Sequence, residues 1–193
     1  ALLDLSCDQI RAIVDTHNTH REELSKGEVE DQPAASNMKY MAWDDELAEK
    51  ASTWASNGVF EHNPDKTIES GRFDTGENIY TYSTTDPDYK LDVVAGIEDW
   101  FNEHKDYTFD RLTNADFERP SETEIGHYTQ MVWADSTYVG CGVDKRSKDD
   151  WTTYLLVCNY GPAGNMISEE PYKTGDGDME CGTDDCGKLY GSC

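Results

Sequence analysis

The chain has 193 residues, of which 36% are apolar and 29% charged, a composition typical of a globular protein with one core and not of a disordered chain. Forty acidic residues against sixteen basic ones give a formal net charge of −24 at pH 7. This charge repels nucleic acid and anionic membranes at long range, and no apolar run approaches the roughly 18 residues that a membrane span needs. We therefore expect no nucleic-acid partner and no membrane span. The acids indicate either a solvated surface or a docking face for a basic partner.

The cysteines favour a secreted protein. There are six of them, and none forms a Cys-x-x-Cys pair, so disulfide bonds fit better than a zinc knuckle or a redox motif. Three lie in the polar, glycine-rich final segment CGTDDCGKLYGSC, which has few apolar residues to hold it against a core. Disulfide bonds persist in oxidising compartments. The sequence therefore predicts an extracellular location.

Three segments have the apolar spacing of helices. Residues 6–26 carry apolar residues three and four apart, with Ser6 placed to begin the helix in a capping box and Gly27 placed to end it. Residues 44–57 begin with acidic side chains, which suit the positive end of a helix dipole. A third helix is predicted over 89–105.

The period then changes to that of strands. Residues 128–134, 138–144 and 152–160 are rich in Val, Tyr, Thr and Trp, and the charged RSKDD between the last two predicts a hairpin turn. The glycine-rich and acidic residues from 161 onward predict a loop tied down by cysteines. Helices followed by an antiparallel meander predict an α+β domain.

Five short elements carry a family resemblance. They are GHYTQMVW at 126–133, the strand end LLVCNYGPAGNM at 155–166, GENI at 76–79, WFNE at 100–103 and FEH at 60–62. In this order they resemble the signatures of the CAP superfamily, which contains the antigen 5, cysteine-rich secretory and pathogenesis-related 1 proteins. The build is most similar to the activation-associated secreted proteins and venom allergen-like proteins of parasitic nematodes.

The resemblance implies a three-layer α-β-α sandwich with a central antiparallel sheet. Residues 1–170 would form the CAP domain and residues 171–193 a hinge-like tail tied by disulfides. The family commonly bridges the two positions that correspond to Cys141 and Cys158, which also lie on neighbouring predicted strands. For the other four cysteines we expect the pairs Cys181–Cys186 and Cys7–Cys193, although six cysteines allow fifteen pairings in all.

The resemblance also implies an open cleft in which two histidines and two glutamates meet: His62, Glu77, Glu103 and His127. Two imidazoles could hold a Zn²⁺ ion and leave its other positions open, with each glutamate orienting a histidine. The same four side chains could instead form a metal-free hydrogen-bonded cluster that joins strands and loops. Both interpretations remain open at the level of sequence.

Three functions are compatible with this family. The first is a secreted, non-enzymatic protein that binds an extracellular or host receptor, with an immunomodulatory or integrin-antagonist role. The second is binding of a sterol or fatty acid, along a path lined by Tyr80, Tyr82 and Tyr89 in a loop predicted over 80–89. The third is a metal-dependent hydrolase at the His/Glu cleft.

Covalent catalysis is not indicated. No serine lies in a nucleophile motif, and all six cysteines are expected to be cross-linked. The remaining histidines, His17, His20 and His104, lie on predicted helices, where we expect positions at the edge of the core or on the surface. We rank the binding protein first, the lipid carrier second and the hydrolase third.

Overall fold

The computed structural model describes all residues, 1–193. It contains four helices and seven strands. In chain order they are β1 (Leu2–Leu3), α1 (Cys7–Ser25), β2 (Lys39–Tyr40), β3 (Ala42–Trp43), α2 (Asp45–Ala55), β4 (Gly76–Thr84), α3 (Val93–Asn102), α4 (Gly126–Met131), β5 (Tyr138–Lys148), β6 (Trp151–Gly161) and β7 (Glu180–Cys181). Short 3₁₀ turns occupy Glu103–Asp106, Asn114–Phe117 and Ser121–Thr123. None of the helices has the length and apolar character needed to cross a bilayer.

The main sheet is built on the β5–β6 hairpin. Its strand order is β1-β5-β6-β4, all antiparallel, and β3 adds to the outer edge of β5 in parallel. The hairpin pairs Lys148 with Trp151, so its turn contains only Asp149 and Asp150. Asp149 adopts a φ of 56°, a left-handed conformation that aspartate tolerates in tight turns. Both strands are therefore longer, and the turn shorter, than the sequence pattern predicts.

Alternation along β6 divides the core between two faces of the sheet. Leu155 and Val157 pack with α2 in one small cluster, whereas Leu156, Cys158 and Tyr160 belong to the main core with α1, α3 and α4. Because successive side chains of a strand point to opposite faces, helices cover the sheet on both sides. The expected three-layer α-β-α sandwich with an antiparallel sheet is confirmed.

Capping side chains determine where the helices begin. Ser6 and Gln9 form the predicted capping box at the start of α1. The side chain of Asp44 accepts the backbone N–H of Leu47 at 3.0 Å and caps α2. In α3 the Asp92 carboxylate accepts the N–H of Val94. The third helix therefore begins at Val93, later than the predicted 89, because an aspartate that caps a helix lies outside it.

The prediction of a strand over 128–134 is wrong, since α4 occupies most of this segment. Tyr128 and Thr129 have the β propensity that led to the error. A tertiary contact overrides it: Oε1 of Glu103 accepts the backbone N–H groups of His127 and Tyr128, each at 3.0 Å. This carboxylate satisfies donors that the first turn of a helix leaves free.

The predicted loop over 80–89 is wrong for its first half, because β4 continues to Thr84. Its nine residues pair with nine residues of β6, from Gly76 opposite Tyr160 to Thr84 opposite Thr152. The sequence YTYST is itself compatible with a strand, but it lacks the apolar alternation that would have identified one. The partner strand β6 decides its conformation.

Three disulfide bonds tie the chain together, and the pairs are those expected from the sequence: Cys141–Cys158, Cys181–Cys186 and Cys7–Cys193. The tail also contains regular structure that was not predicted. Strand β7 pairs with β2 in parallel, and the N–H of Trp43 donates to the carbonyl of Leu189 at 2.7 Å. Residues 171–193 are otherwise mostly loop and turn, as predicted, and these contacts together with the bond Cys7–Cys193 hold them against the domain.

Candidate metal-binding cleft

A cleft of about 280 Å³ opens between the start of β4, the loop after α2 and the segment around the start of α4. Its lining is polar and comprises His62, Glu77, Asn78, Asp116, Phe117, Arg119, Glu124, Ile125, Gly126, His127 and Asn165. Three of the four expected site residues are in this set. Glu103 instead lines a second, neighbouring groove, which also contains His127.

Glu77, on β4, holds His62 in place. Its Oε1 lies 2.9 Å from Nδ1 of His62 and also accepts the N–H of Asn63 at 2.9 Å, while its Oε2 accepts from the amide of Asn159 at 3.3 Å. The Glu77 side chain is only 5% exposed, whereas that of His62 is 58% exposed. A carboxylate accepts, so Nδ1 of His62 carries the proton and Nε2 keeps its lone pair in the neutral ring.

Glu103 holds His127 in the same manner. Its Oε2 lies 2.6 Å from Nδ1 of His127, and its Oε1 bonds the start of α4 as described above. The His127 ring also stacks on the indole of Trp100, with an interplanar angle of 9°. The ring orientation of His127 is therefore set by one hydrogen bond and one stacking contact.

The resulting arrangement is that of two oriented imidazoles. Nε2 of His62 and Nε2 of His127 form no hydrogen bond within the chain. Zn²⁺ and similar ions bind neutral imidazole nitrogen, and glutamates that accept the other N–H of such ligands fix their tautomer. Both free nitrogens belong to side chains that line the cleft, and each is of the type that could bind a divalent ion.

Sequence reasoning missed one acidic group. Glu124 lies three residues before His127, and Oε2 of Glu124 is 3.9 Å from Nδ1 of His127. Ligand atoms of Glu103, Glu124 and His127 come within 4.8 Å of one another. The only signal in the sequence was an acidic residue one helical turn before a motif histidine. Glu124 would add a carboxylate beside His127, and this group of neighbouring ligand atoms does not include His62.

The tyrosines expected to line a lipid path pack mainly on one another. Tyr82 stacks on Tyr89 with ring centroids 4.8 Å apart, and Tyr89 meets the edge of Tyr154 at 5.7 Å. Tyr80 packs against Gly96 of α3 and lines the groove beside the cleft. The rings of Tyr82 and Tyr89 thus occupy the space that a lipid chain would need between them.

Comparisons with known proteins agree with this geometry. The sequence model of the cysteine-rich secretory protein family, CAP, matches residues 14–160. The chain belongs to the CAP family. Venom allergen 5 of Rhynchium brunneum is 42% identical over 168 residues, covering 84% of this CAP chain and 72% of its own. Venom allergen 5.02 of Dolichovespula maculata is 38% identical over 174 residues, covering 88% of this chain and 78% of its own.

Solved structures of CAP proteins superpose over nearly the whole chain. NaASP2, in a crystal structure with Zn²⁺, is 30% identical with a TM-score of 0.76, covering 98% of this chain and 96% of that one. BmVAL-1 is also 30% identical, with a TM-score of 0.75 over 97% of this chain and 94% of its own. The resemblance to CAP and venom allergen-like proteins that the motifs indicate is confirmed.

Proposed function

We propose that this CAP protein is extracellular, acts by binding and not by catalysis, and holds a divalent metal ion in its cleft through His62 and His127. One observation carries the metal site: a glutamate occupies Nδ1 of each histidine and leaves each Nε2 free. Ligating histidines in metalloproteins commonly have this second hydrogen bond, which fixes the tautomer and raises the basicity of the ligand. The related protein NaASP2 has a crystal structure with Zn²⁺, which supports the same ion here.

An extracellular location is supported by the covalent framework. All six cysteines are paired, which suits an oxidising compartment. Relatives named venom allergens are, by that name, components of a secretion. The strongly acidic chain is suited to attract basic partners and to repel nucleic acid.

A non-catalytic role is supported by what lines the cleft. No serine, threonine, cysteine or lysine is among its lining residues, so it contains no nucleophile of those types for covalent catalysis. Glu77 and Glu103 use their oxygens in the hydrogen bonds described above, which makes them poor candidates for a mobile general base. The partner would then be an extracellular or host protein, and the corresponding roles are immune modulation or antagonism of a receptor such as an integrin.

The metal site is tested by calorimetric titration of Zn²⁺ into metal-stripped protein at neutral pH. We expect saturable binding by the wild type, and its loss in the double variant His62→Ala, His127→Ala. The variant His20→Ala serves as the matched control, because it removes an imidazole that bonds Glu23 and Glu98 outside the cleft. Equal binding by the wild type and the double variant would show that the cluster is a metal-free polar network.

The non-catalytic role is tested on the zinc-loaded protein. Ester and peptide hydrolysis should not exceed that of the double variant, and native mass spectrometry should show no bound sterol or fatty acid. Activity confined to the wild type would establish the hydrolase instead. Saturable binding to an integrin ectodomain or a chemokine receptor would support receptor antagonism, and the absence of any such signal would count against it.

A further inference from the structure

A second groove, of about 380 Å³, lies beside the metal-binding cleft and follows the edge of β4. Its apolar lining comes from Phe60 in the loop after α2, from Ile79 and Tyr80 in β4 and from Trp100 in α3. His127 and Glu124 separate it from the cleft, since both also line that site. The groove is therefore a second surface, distinct from the cleft, and the two have His127 and Glu124 in common.

The strand beside this groove has an unpaired edge. Strand β4 is the last strand of the main sheet and pairs only with β6. The carbonyl of Ile79 accepts from the indole N–H of Trp100 at 3.3 Å, so the backbone groups of Ile79 face away from β6. Alternate residues of an antiparallel strand face the same way. The N–H and C=O groups of Thr81 and Ser83 therefore also face outward, and none of them has a backbone partner outside the sheet ladder.

This edge has little of the protection that exposed strands usually carry. Edge strands are commonly blocked by lysine, by proline or by a covering element. Residues 76–84 contain no lysine or proline, and their one charged residue, Glu77, is turned into the cleft. Thr81, Tyr82 and Ser83 are exposed. The outer edge of β4 is thus available to another strand.

The groove is also strongly anionic. Its lining includes five carboxylates and no lysine or arginine: Asp99, Glu103, Asp106, Glu122 and Glu124. Glu103 bonds to His127, but Asp99, Asp106 and Glu122 take part in no ion pair. The nearest guanidinium, that of Arg119, donates to the backbone carbonyl of Asp106 at 2.8 Å and forms no ion pair with the carboxylates of the groove. Carboxylates that line one groove without a paired cation attract a ligand that brings positive charge.

Phe60 adds an apolar anchor at the rim. Its side chain is 62% exposed, the highest value among the large apolar residues of the chain. An exposed aromatic beside a groove is the type of residue that dominates binding energy once a partner covers it. The groove therefore combines an open strand edge, unpaired acids and an unburied aromatic side chain.

We propose that this groove docks an extended, basic segment of a partner protein, which adds to the sheet as a strand beside Thr81 and Ser83. Backbone hydrogen bonds to the edge would give affinity, as in other cases of strand addition. Alternate lysine or arginine side chains of the segment would face the acids, where Asp106 and Glu122 have no cationic partner. A second copy of this chain is disfavoured as the occupant, because two molecules with a formal charge of −24 repel each other.

The edge can be blocked without damage to the sheet. Because the N–H of Thr81 faces outward, the variant Thr81→Pro removes a donor that the β4–β6 ladder does not use, and proline is tolerated at such edge positions. The variant Thr81→Val keeps the N–H and is the matched control. The pair Asp106→Asn, Glu122→Gln removes two charges from the groove, and Asp176→Asn, Asp178→Asn removes two from the exposed tail.

The probe is a fluorescent peptide with alternating lysine and threonine and about ten residues, which is the upper end of usual strand lengths. A second peptide has the same sequence with an N-methyl group on every backbone amide, so it keeps the charge but has no backbone N–H on either edge with which to pair as a strand. We expect wild type and Thr81→Val to bind the first peptide saturably. Thr81→Pro and the N-methylated peptide should each weaken binding at least tenfold. Loss of the two groove charges should weaken binding of the peptide more than loss of the two tail charges. Binding by the groove variant should also depend less on salt concentration than binding by the wild type.

Several outcomes would overturn the proposal: no saturable binding of the lysine peptide, equal binding of the N-methylated peptide, or equal binding by Thr81→Pro. Peptide-independent dimers that disappear in Thr81→Pro, detected by light scattering, would instead identify a second copy as the occupant. The inference rests on the proposed role as a binding protein, and the assay is run with a chelator present. If the wild type binds Zn²⁺ but not the peptide, the groove proposal is rejected and the metal site is not. If it binds the peptide but not Zn²⁺, the metal site is rejected and the groove proposal is not.

Discussion

Nε2 of His17 lies 2.7 Å from the hydroxyl of Tyr160, and both side chains are completely buried. Nδ1 of His17 is 2.8 Å from the carbonyl oxygen of Ile13, which can only accept, so Nδ1 carries the proton and Nε2 accepts from the tyrosine. The Tyr160 oxygen in turn accepts from the amide of Asn78 at 3.4 Å, and the same amide donates to the carbonyl of His127 at 3.0 Å. A buried hydrogen-bonded chain thus connects α1 with the cleft.

The buried position of His17 in these hydrogen bonds predicts that the stability of the protein depends on pH. Burial is the main cause that lowers the pKa of His17 from its ordinary 6.5 to about 4. The unfolded state therefore binds the proton at a higher pH than the folded state. Stability is fully present above the unfolded pKa of His17 and decreases as the pH falls from about 6.5 towards about 4. The contribution of this one group is about 3 kcal/mol between pH 7 and pH 4.

Urea unfolding of the wild type and of His17→Gln at several pH values measures this contribution. The variant should be less stable at pH 7 but should lose less stability on acidification, so the two curves converge near pH 4. Parallel curves would show that carboxylates alone, and not His17, cause the acid sensitivity.

The buried Arg21 is expected to be the most sensitive polar position in the core. Its side chain has no exposed surface and donates to the backbone carbonyls of five residues: Lys39, Met131, Trp133, Ala134 and Ser136. Replacement by methionine keeps the volume but leaves these acceptors without a donor in a dry environment. We expect Arg21→Met to lower the free energy of unfolding by about 3–5 kcal/mol.

Arg11 provides the comparison for Arg21, since its side chain is 40% exposed and pairs with Asp8. In chemical denaturation Arg11→Met should stay within about 0.5 kcal/mol of the wild type. Similar losses in the two variants would mean that the carbonyl cluster finds other donors when the guanidinium is absent.

Glu103 has two roles that a single substitution can separate. An amide oxygen in Glu103→Gln can still accept the N–H groups of His127 and Tyr128, so α4 should form and the melting temperature should change little. The amide NH₂ would donate to Nδ1 of His127, which moves the ring proton to Nε2 and blocks it as a ligand. We expect Zn²⁺ affinity to fall about 10- to 100-fold in calorimetry.

Two further variants complete this comparison. Glu103→Ala should lose both Zn²⁺ affinity and about 1 kcal/mol of stability, because the start of α4 loses its acceptor. Glu118→Gln changes the charge equally at an exposed residue and should preserve both properties. Unchanged Zn²⁺ affinity in Glu103→Gln would contradict the proposed tautomer.

The disulfide bonds should contribute unequally. The bond Cys7–Cys193 joins residues 186 apart, whereas Cys181–Cys186 joins residues only 5 apart. In the chain-entropy model a longer closed loop restricts the unfolded state more, so Cys7→Ser, Cys193→Ser should lower stability by about 2–4 kcal/mol and the other pair by less. Denaturant unfolding measures both. Equal losses would show that tail contacts, such as that of Tyr190 with Asp15, replace the longer cross-link.

The sequence by itself determined the features that depend on local chemistry or on specific motifs. The capping box of Ser6 and Gln9, the helix that begins after Asp44 and the β5–β6 hairpin all follow from residue patterns within a few positions of one another. The motifs around His62 and His127 predicted that both histidines line one cleft, because the residues of these motifs resemble those of a known family even though they lie far apart in the chain.

The tertiary structure decided what depends on partners distant in sequence. The segment around Tyr128 has β propensity, yet it is helical because the Glu103 carboxylate accepts its first N–H groups. Strand β4 forms because β6 supplies its hydrogen-bond partners, and burial of His17 depends on Tyr160 on that same strand. A local pattern cannot encode such contacts, since the free energy of each comes from atoms that the chain brings together only after it has folded.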